Sequence, residues 1–166
     1  MKRIATLTGT VLGVGYLRPA PGTWGSLSAL PLALLLHGLG GFPLLLAGLL
    51  AAIVAGIWAT GVMTHGSDDH DPSEIVMDEV AGQLVALAPI SYAAWAHDIP
   101  VLAMWPGWIA AFVLFRLFDI TKPGPIGWAD RRGDPLGVTL DDLIAGAFAA
   151  VGVMVLAGLW HGVLGQ

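Results

Sequence analysis

The chain contains no cysteine, and charged residues of either sign make up only 11% of its 166 residues. Without a thiol it can form no disulfide, no thiolate metal site and no cysteine nucleophile. Soluble domains carry about 25% charged residues, whereas 56% of this sequence is hydrophobic. This composition excludes an ordinary soluble domain and predicts an integral membrane protein, built as one domain over residues 1–166.

Several catalytic motifs are also missing from the sequence. It has no glycine-rich P-loop and no Gly-x-Ser-x-Gly elbow, and its five histidines do not occur at the spacings typical of a zinc site. The aspartate ladder of CDP-alcohol phosphatidyltransferases is absent as well. These absences leave carboxylates as the chemically informative residues.

Five apolar segments predict an all-α, polytopic membrane helix bundle with about five spanning or partly spanning helices. A helix needs roughly 20 apolar residues to cross the hydrocarbon core. The segments 42–63, 100–118 and 142–164 meet this length well, while 26–37 is short and 79–96 begins with acids. We expect loops at 18–25, 64–74 and 121–135, which are marked by proline and glycine.

The positive charges lie on one side of this arrangement. With the five predicted spans, every lysine and arginine falls on the same face, and the opposite loops carry none. Basic residues collect in cytoplasmic loops, so we expect the charged face to be cytoplasmic and the C-terminus to lie outside. The seven basic residues are Lys2, Arg3, Arg18, Arg116, Lys122, Arg131 and Arg132.

The acids crowd onto the same face, apart from Asp98. Negative charges packed beside an anionic membrane surface repel one another, and a divalent cation would relieve that repulsion. The acids on this face are Asp68, Asp69, Asp71, Glu74, Asp78, Glu79, Asp119, Asp130, Asp134, Asp141 and Asp142.

Five of these acids lie at predicted helix ends and form the predicted metal site. Asp78 and Glu79 begin one helix, Asp141 and Asp142 begin another, and Asp119 ends a third. Oxygen ligands of this kind suit Mg²⁺, and adjacent acids on a helix point about 100° apart. We assign Glu79, Asp119 and Asp141 to the metal, and Asp78 and Asp142 to catalysis. The sequence leaves open which acid is the general base and how many ions bind. A single aspartate of this kind could equally be a helix cap.

Cations beside these acids predict a phosphate group as the target. Arg116 and Lys122 flank Asp119 and would stabilise charge on a transferring phosphoryl group. Basic residues at cytoplasmic helix ends can also serve topology alone, and Thr23 can be read as a helix N-cap after its Pro-Gly turn. The predicted substrate-binding residues are Thr23, Lys122, Asp130 and Arg131.

Four strings together resemble the phosphatidylglycerophosphatase A family. They are APGTWGSL (20–27), DPSEIVMDEVAGQ (71–83), FRLFDITKPGPIGWADRR (115–132) and GVTLDDLIAG (137–146). The resemblance implies Mg²⁺-dependent hydrolysis of phosphatidylglycerophosphate to phosphatidylglycerol and phosphate, in bacterial phospholipid biosynthesis, at the cytoplasmic side of the inner membrane. It directs attention to Asp78, Glu79, Asp119, Lys122, Asp130, Asp141 and Asp142.

Two other classes of function compete with a phosphatase. A small ion or proton transporter could use membrane carboxylates, but it would need them near the middle of the bilayer. A structural membrane subunit would not need clustered acids at all. The expected partners are a phospholipid substrate and the bilayer itself, with no nucleic acid, and the oligomeric state is left open.

Overall fold

The computed structural model describes residues 1–67, 69 and 72–160, and within them every regular element is helical. The predicted all-α class is therefore confirmed. Short 3₁₀ turns occur at Val14–Tyr16 and Val101–Met104. The α-helices are α1 (Lys2–Gly9), α2 (Pro21–Met63), α3 (Met77–Ala96), α4 (Trp105–Thr121), α5 (Pro125–Asp130) and α6 (Pro135–Leu159).

The long helix α2 is a hairpin with two arms. Its backbone leaves helical geometry at Gly40 and Gly41, and Gly41 has a φ of +64° that favours glycine. A Cβ atom added at Gly48 would lie 2.5 Å from Cδ1 of Leu36, whereas a straight helix would separate these residues by about 18 Å. The arms 21–39 and 42–63 are therefore antiparallel neighbours, as the predicted segments 26–37 and 42–63 require.

The first arm of α2 runs parallel to α3. At one end, a Cβ atom added at Gly22 would lie 2.2 Å from Oε1 of Glu79. At the other end, a Cβ atom added at Gly41 would lie 2.4 Å from the Trp95 ring. The start of α2 and the start of α3 thus lie at the same end of the bundle, which we call the polar end.

The helices α4 and α6 bring their acids to the polar end as well. Phe115, near the end of α4, contacts Gly82 in the second turn of α3. A Cβ atom added at Gly146 of α6 would lie 2.3 Å from the carbonyl oxygen of Gly82. Such close approach needs small residues at a helix crossing.

Further along the helices, a Cβ atom added at Gly107 of α4 would lie 3.2 Å from Ile90 of α3. A Cβ atom added at Gly152 of α6 would lie 2.8 Å from Leu114 of α4. Helix α4 is therefore antiparallel to α3 and to α6, which are parallel to each other.

The outside of the bundle is apolar, as a lipid-facing surface should be. Large hydrophobic side chains such as Leu50, Val54, Val113 and Val155 are more than half exposed, and exposed apolar surface on this scale marks contact with lipid or another protein. Within the part of the chain that the structure describes, three helical stretches are long and apolar enough to cross a membrane, namely Pro21–Met63, Val101–Thr121 and Pro135–Leu159.

Helix α3 has a different place in the bundle. It is not among the stretches long and apolar enough to cross a membrane on their own, and it packs against α2, α4 and α6. Leu84 and Leu87 at its centre are completely buried. The predicted span 79–96 is therefore a central helix enclosed largely by protein.

Some predicted boundaries were wrong, and proline is the reason. Helices α2, α5 and α6 each begin with proline, whose fixed φ and missing N–H suit a first turn. In the sequence, the same prolines predicted loops. Thr23 consequently lies in the first turn of α2 and Ala20 is the N-cap. Helix α6 begins at Pro135 rather than near 142, and α5 forms inside the predicted loop 121–135.

Candidate active site

Three carboxylates meet at the polar end and form what we call the acidic triad. Asp78 and Glu79 lie in the first turn of α3, and Asp142 lies in the second turn of α6. One carboxylate oxygen from each residue lies within 4.8 Å of the other two. Asp78 and Asp142 are only 3% and 4% exposed. Buried carboxylates this close together repel one another unless a cation or protons intervene.

The acidic triad fits a divalent metal ion. Oε2 of Glu79 and Oδ1 of Asp142 are buried without a hydrogen-bond partner, which is unfavourable for charged oxygen atoms. Oxygens bound to one Mg²⁺ ion lie about 3 Å apart when adjacent and about 4.2 Å apart when opposite. The three carboxylate oxygens, all within 4.8 Å of one another, would therefore close around an ion when it binds.

Arg116 and Asp119 border the triad on the α4 side. The guanidinium of Arg116 donates hydrogen bonds to Asp119, one turn later in α4, and to Oγ of Ser26 at 3.4 Å. A Cβ atom added at Gly22 would lie 3.3 Å from Nη1 of Arg116 and 2.2 Å from Oε1 of Glu79. The cation thus lies next to the triad, and its buried Nε has no partner.

Lys122 forms a second polar centre with Asp141 and Asp130. It ends α4 in a left-handed conformation, and its Nζ donates to Oδ2 of Asp141 at 2.7 Å and to Asp130. Partial burial alone would lower the pKa of Lys122, but the hydrogen bonds to the two carboxylates outweigh it and hold that pKa above its usual value. Lys122 therefore stays protonated at neutral pH.

The three predicted metal ligands do not lie together in one cluster. Glu79 belongs to the acidic triad, Asp119 is bound by Arg116, and Asp141 is bound by Lys122. Asp141 and Asp142 point to different partners, as expected for neighbours about 100° apart around a helix. The roles assigned to Glu79, Asp119 and Asp141 in the sequence remain predictions.

The predicted substrate-binding residues lie around the polar end. Thr23 follows Gly22, whose backbone is against Glu79. Asp130 is bound by Lys122. Arg131 follows α5, and its Nη1 would lie 3.3 Å from a Cβ atom added at Gly127. Among the described residues, no ion pair involves Arg131. Contact between these residues and a substrate remains a prediction.

Two residues near the polar end, Gln83 and Gly22, were not predicted as site residues from the sequence. Gln83 is completely buried in α3, with both side-chain amide atoms unpartnered. A polar side chain in an apolar helix is a functional signal, and Gln83 stands inside the quoted string DEVAGQ. Gly22 touches both Glu79 and Arg116, but close approach of two helices leaves no sequence signal beyond the glycine itself.

Gly22→Ala is expected to weaken Mg²⁺ binding at the acidic triad without unfolding the protein. The new methyl group would meet the flexible end of Glu79, with 2.2 Å to its Oε1, so the carboxylate must move. We expect the Mg²⁺ concentration that half-saturates the protein to rise, measured by Mg²⁺-dependent thermal stabilisation in detergent. Gly38→Ala is the matched control because a Cβ atom there meets nothing within 4 Å. An unchanged Mg²⁺ midpoint in Gly22→Ala would separate Gly22 from the metal site.

Comparison with known proteins identifies the family. The model of the family described as phosphatidylglycerophosphatase A matches residues 7–157. The phosphatidylglycerophosphatase A of Haemophilus influenzae is 35% identical over 146 residues, which cover 87% of this chain and 83% of that protein. The Escherichia coli protein of the same name is 32% identical over 154 residues, covering 89% and 82%.

One further relative carries a different name. A Bacteroides thetaiotaomicron protein, provisionally named a phosphatidylinositol-3-phosphatase, is 34% identical over 163 residues, covering 93% of this chain and 96% of that protein. No solved structure matches the chain. The family match spans nearly all of the sequence and includes both carboxylate pairs and Lys122. The chain therefore belongs to the phosphatidylglycerophosphatase A family and is a phosphatase.

Proposed function

We propose that this protein hydrolyses phosphatidylglycerophosphate to phosphatidylglycerol and phosphate, in a reaction that depends on Mg²⁺. The observation that carries the proposal is the acidic triad, whose buried oxygens lack partners beside Arg116 at one end of an apolar helix bundle. The names of the Haemophilus influenzae and Escherichia coli relatives support the choice of substrate.

Asp78, Glu79 and Asp142 would hold the metal ion. They are better candidates than Asp119 and Asp141, because each of those carboxylates is already bound by a cation. When bound, Mg²⁺ neutralises charge on a phosphate ester and lowers the pKa of water. Carboxylates without a thiolate or imidazole among them are the ligand type that Mg²⁺ prefers.

The remaining chemistry falls to side chains around the triad. Water attacks the phosphorus atom and gives up a proton to a base, the ester bond to the glycerol oxygen breaks, and the same proton is returned to the departing oxygen. Asp142 would hold the metal through one carboxylate oxygen, and its other carboxylate oxygen is our candidate to accept the proton of the attacking water. Arg116 and Lys122 would stabilise the charge on the transferring phosphoryl group.

We also propose that the polar end faces the cytoplasm of a bacterial inner membrane, with the chain crossing the bilayer several times. The absence of lysine and arginine from the predicted opposite loops supports this orientation. A lipid substrate would then keep its acyl chains in the bilayer while its headgroup reaches the ends of α3, α4 and α6. This placement explains why the acids lie at helix ends.

Phosphate release from phosphatidylglycerophosphate in detergent micelles tests the proposal. We expect release in Mg²⁺, none in EDTA, and recovery when excess Mg²⁺ is restored. Phosphatidylinositol 3-phosphate is the comparison substrate because of the Bacteroides thetaiotaomicron relative, and we expect it to be cleaved more slowly. No phosphate release from phosphatidylglycerophosphate in Mg²⁺ would refute the proposal, and faster cleavage of the inositol lipid would refute the substrate.

No observation favours the transporter alternative. A transport path would need acids near the middle of the helices and access from both ends. In the described part of the chain, α3, α4 and α6 carry their acidic side chains near the polar end, and α2 has none.

A further inference from the structure

Gln83 is a polar side chain completely buried in α3, without any hydrogen bond to its amide. Its exposed fraction is 0%, and neither Nε2 nor Oε1 has a partner. A buried amide that lost its hydrogen bonds to water and gained none is unfavourable. A native protein that keeps such a group usually uses it.

The position of Gln83 in α3 places it one helical turn from Glu79 of the acidic triad. It follows Glu79 by four residues, so the two side chains lie on the same face of α3, one turn apart. Helical side chains lean toward the N-terminus of their helix, which directs the amide of Gln83 toward Glu79. Its neighbour Gly82 contacts the backbone of Asp142 at the crossing with α6.

Most of the other buried polar groups without a hydrogen-bond partner belong to residues of the site. Within the described residues, buried side-chain atoms without a hydrogen bond occur on Gln83, on three residues of the site and on Thr60 of α2. The three site residues are Glu79, Arg116 and Asp142. Unsatisfied polarity is therefore concentrated around the triad.

We propose that Gln83 is a positioning residue that orients the carboxylate of Glu79 in the metal site. This inference rests on the proposed Mg²⁺-dependent function. With metal bound, an amide N–H of Gln83 would donate to Oε2 of Glu79, a hydrogen bond that neither group makes in this structure, and would fix the orientation of that carboxylate. The amide oxygen would be available to accept a hydrogen bond from one of the water molecules that Mg²⁺ keeps when it binds to proteins. Groups that orient metal ligands in this way typically change metal affinity or activity by about 10- to 100-fold when replaced.

Gln83→Met separates a positioning role from a merely structural one. Methionine keeps the length and volume of glutamine but has no amide. We expect the melting temperature without metal to stay the same or rise, because an unsatisfied buried group is removed. We expect the Mg²⁺ midpoint for thermal stabilisation, and that for phosphate release, to rise by about 10- to 100-fold. If Gln83 were only a buried structural residue, the melting temperature without metal would stay the same or rise, but the Mg²⁺ midpoints would not change.

Ser91→Ala is the matched control on the same helix. Ser91 is buried near the other end of α3, and its hydroxyl is satisfied by Nδ1 of His37 at 2.8 Å. Removing it should lower the melting temperature and leave the Mg²⁺ midpoint unchanged.

The two proposals fail in distinguishable ways. If the unaltered protein shows neither Mg²⁺-dependent stabilisation nor phosphate release, the proposed function fails and the role of Gln83 fails with it. If the unaltered protein responds to Mg²⁺ and Gln83→Met has the same midpoint, only the positioning role is overturned. A raised midpoint in Gln83→Met but not in Ser91→Ala supports it.

Discussion

Asp142→Asn is expected to lower Mg²⁺-dependent phosphate release by about 10²- to 10⁴-fold, the range for loss of a general base. Asparagine keeps the size and burial of the side chain but removes its negative charge and its ability to accept a proton. The same change removes one of three mutually repelling carboxylates, so the metal-free protein should melt at a higher temperature. Lower activity together with higher stability is the expected signature of this site.

The control for this substitution is Asp98→Asn. Asp98 is exposed, and its φ of +52° is a conformation that asparagine also adopts readily. We expect unchanged activity and unchanged melting temperature. Asp142→Asn with activity within a few-fold of the original would remove Asp142 from the reaction.

Lys122→Met is expected to lower both activity and stability. Its ammonium group is the charge nearest to Asp141, whose side chain is 5% exposed, so removal leaves a buried carboxylate without its cation. Breaking a buried pair costs about 3–5 kcal/mol, and the 31% exposure of Lys122 should bring the loss here below that range. If Lys122 also contacts phosphate, we expect phosphate release to fall by about 10²- to 10³-fold.

A second substitution separates these two effects of Lys122. In Lys122→Met with Asp141→Asn, the uncompensated carboxylate is gone, so melting temperature should recover. Activity should not recover, because the phosphate still lacks its cation. Asp141→Asn alone is the reference and should keep most of the activity if Asp141 serves only to hold Lys122. Recovery of activity in the double variant would make the role of Lys122 purely structural.

The location of the site could be predicted from charge, but its pairings could not. Seven basic residues and most acids on one face of an apolar chain required the site to lie at one end of the bundle. Which of Asp141 and Asp142 meets Glu79 depends on the rotation of α6 about its own axis. That rotation is set by contacts such as Gly146 against Gly82, which join distant parts of the chain.

The hairpin of α2 could likewise be predicted from the sequence, whereas the start of α6 and the role of Gln83 could not. The apolar runs 26–37 and 42–63 predicted two passes, and Gly40 with Gly41 supplies the turn between them. The start of α6 at Pro135 was missed because proline favours both loops and first helical turns. Gln83 was missed because burial depends on neighbours that only the folded bundle supplies.

The enclosure of α3 by the other helices has a consequence for how the chain enters a membrane. Acidic residues oppose the membrane insertion of a helix, and α3 begins with Asp78 and Glu79 before it becomes apolar. We expect α3 to be a poor membrane segment on its own and to enter the bilayer only against helices already there. The hairpin of α2 is synthesised before it and offers both arms as a docking surface. Asp78 and Glu79, which the proposed reaction needs, thus make the insertion of α3 depend on its contact with α2. Variants that weaken the α2–α3 contact should therefore lose assembly in the membrane before they lose catalysis.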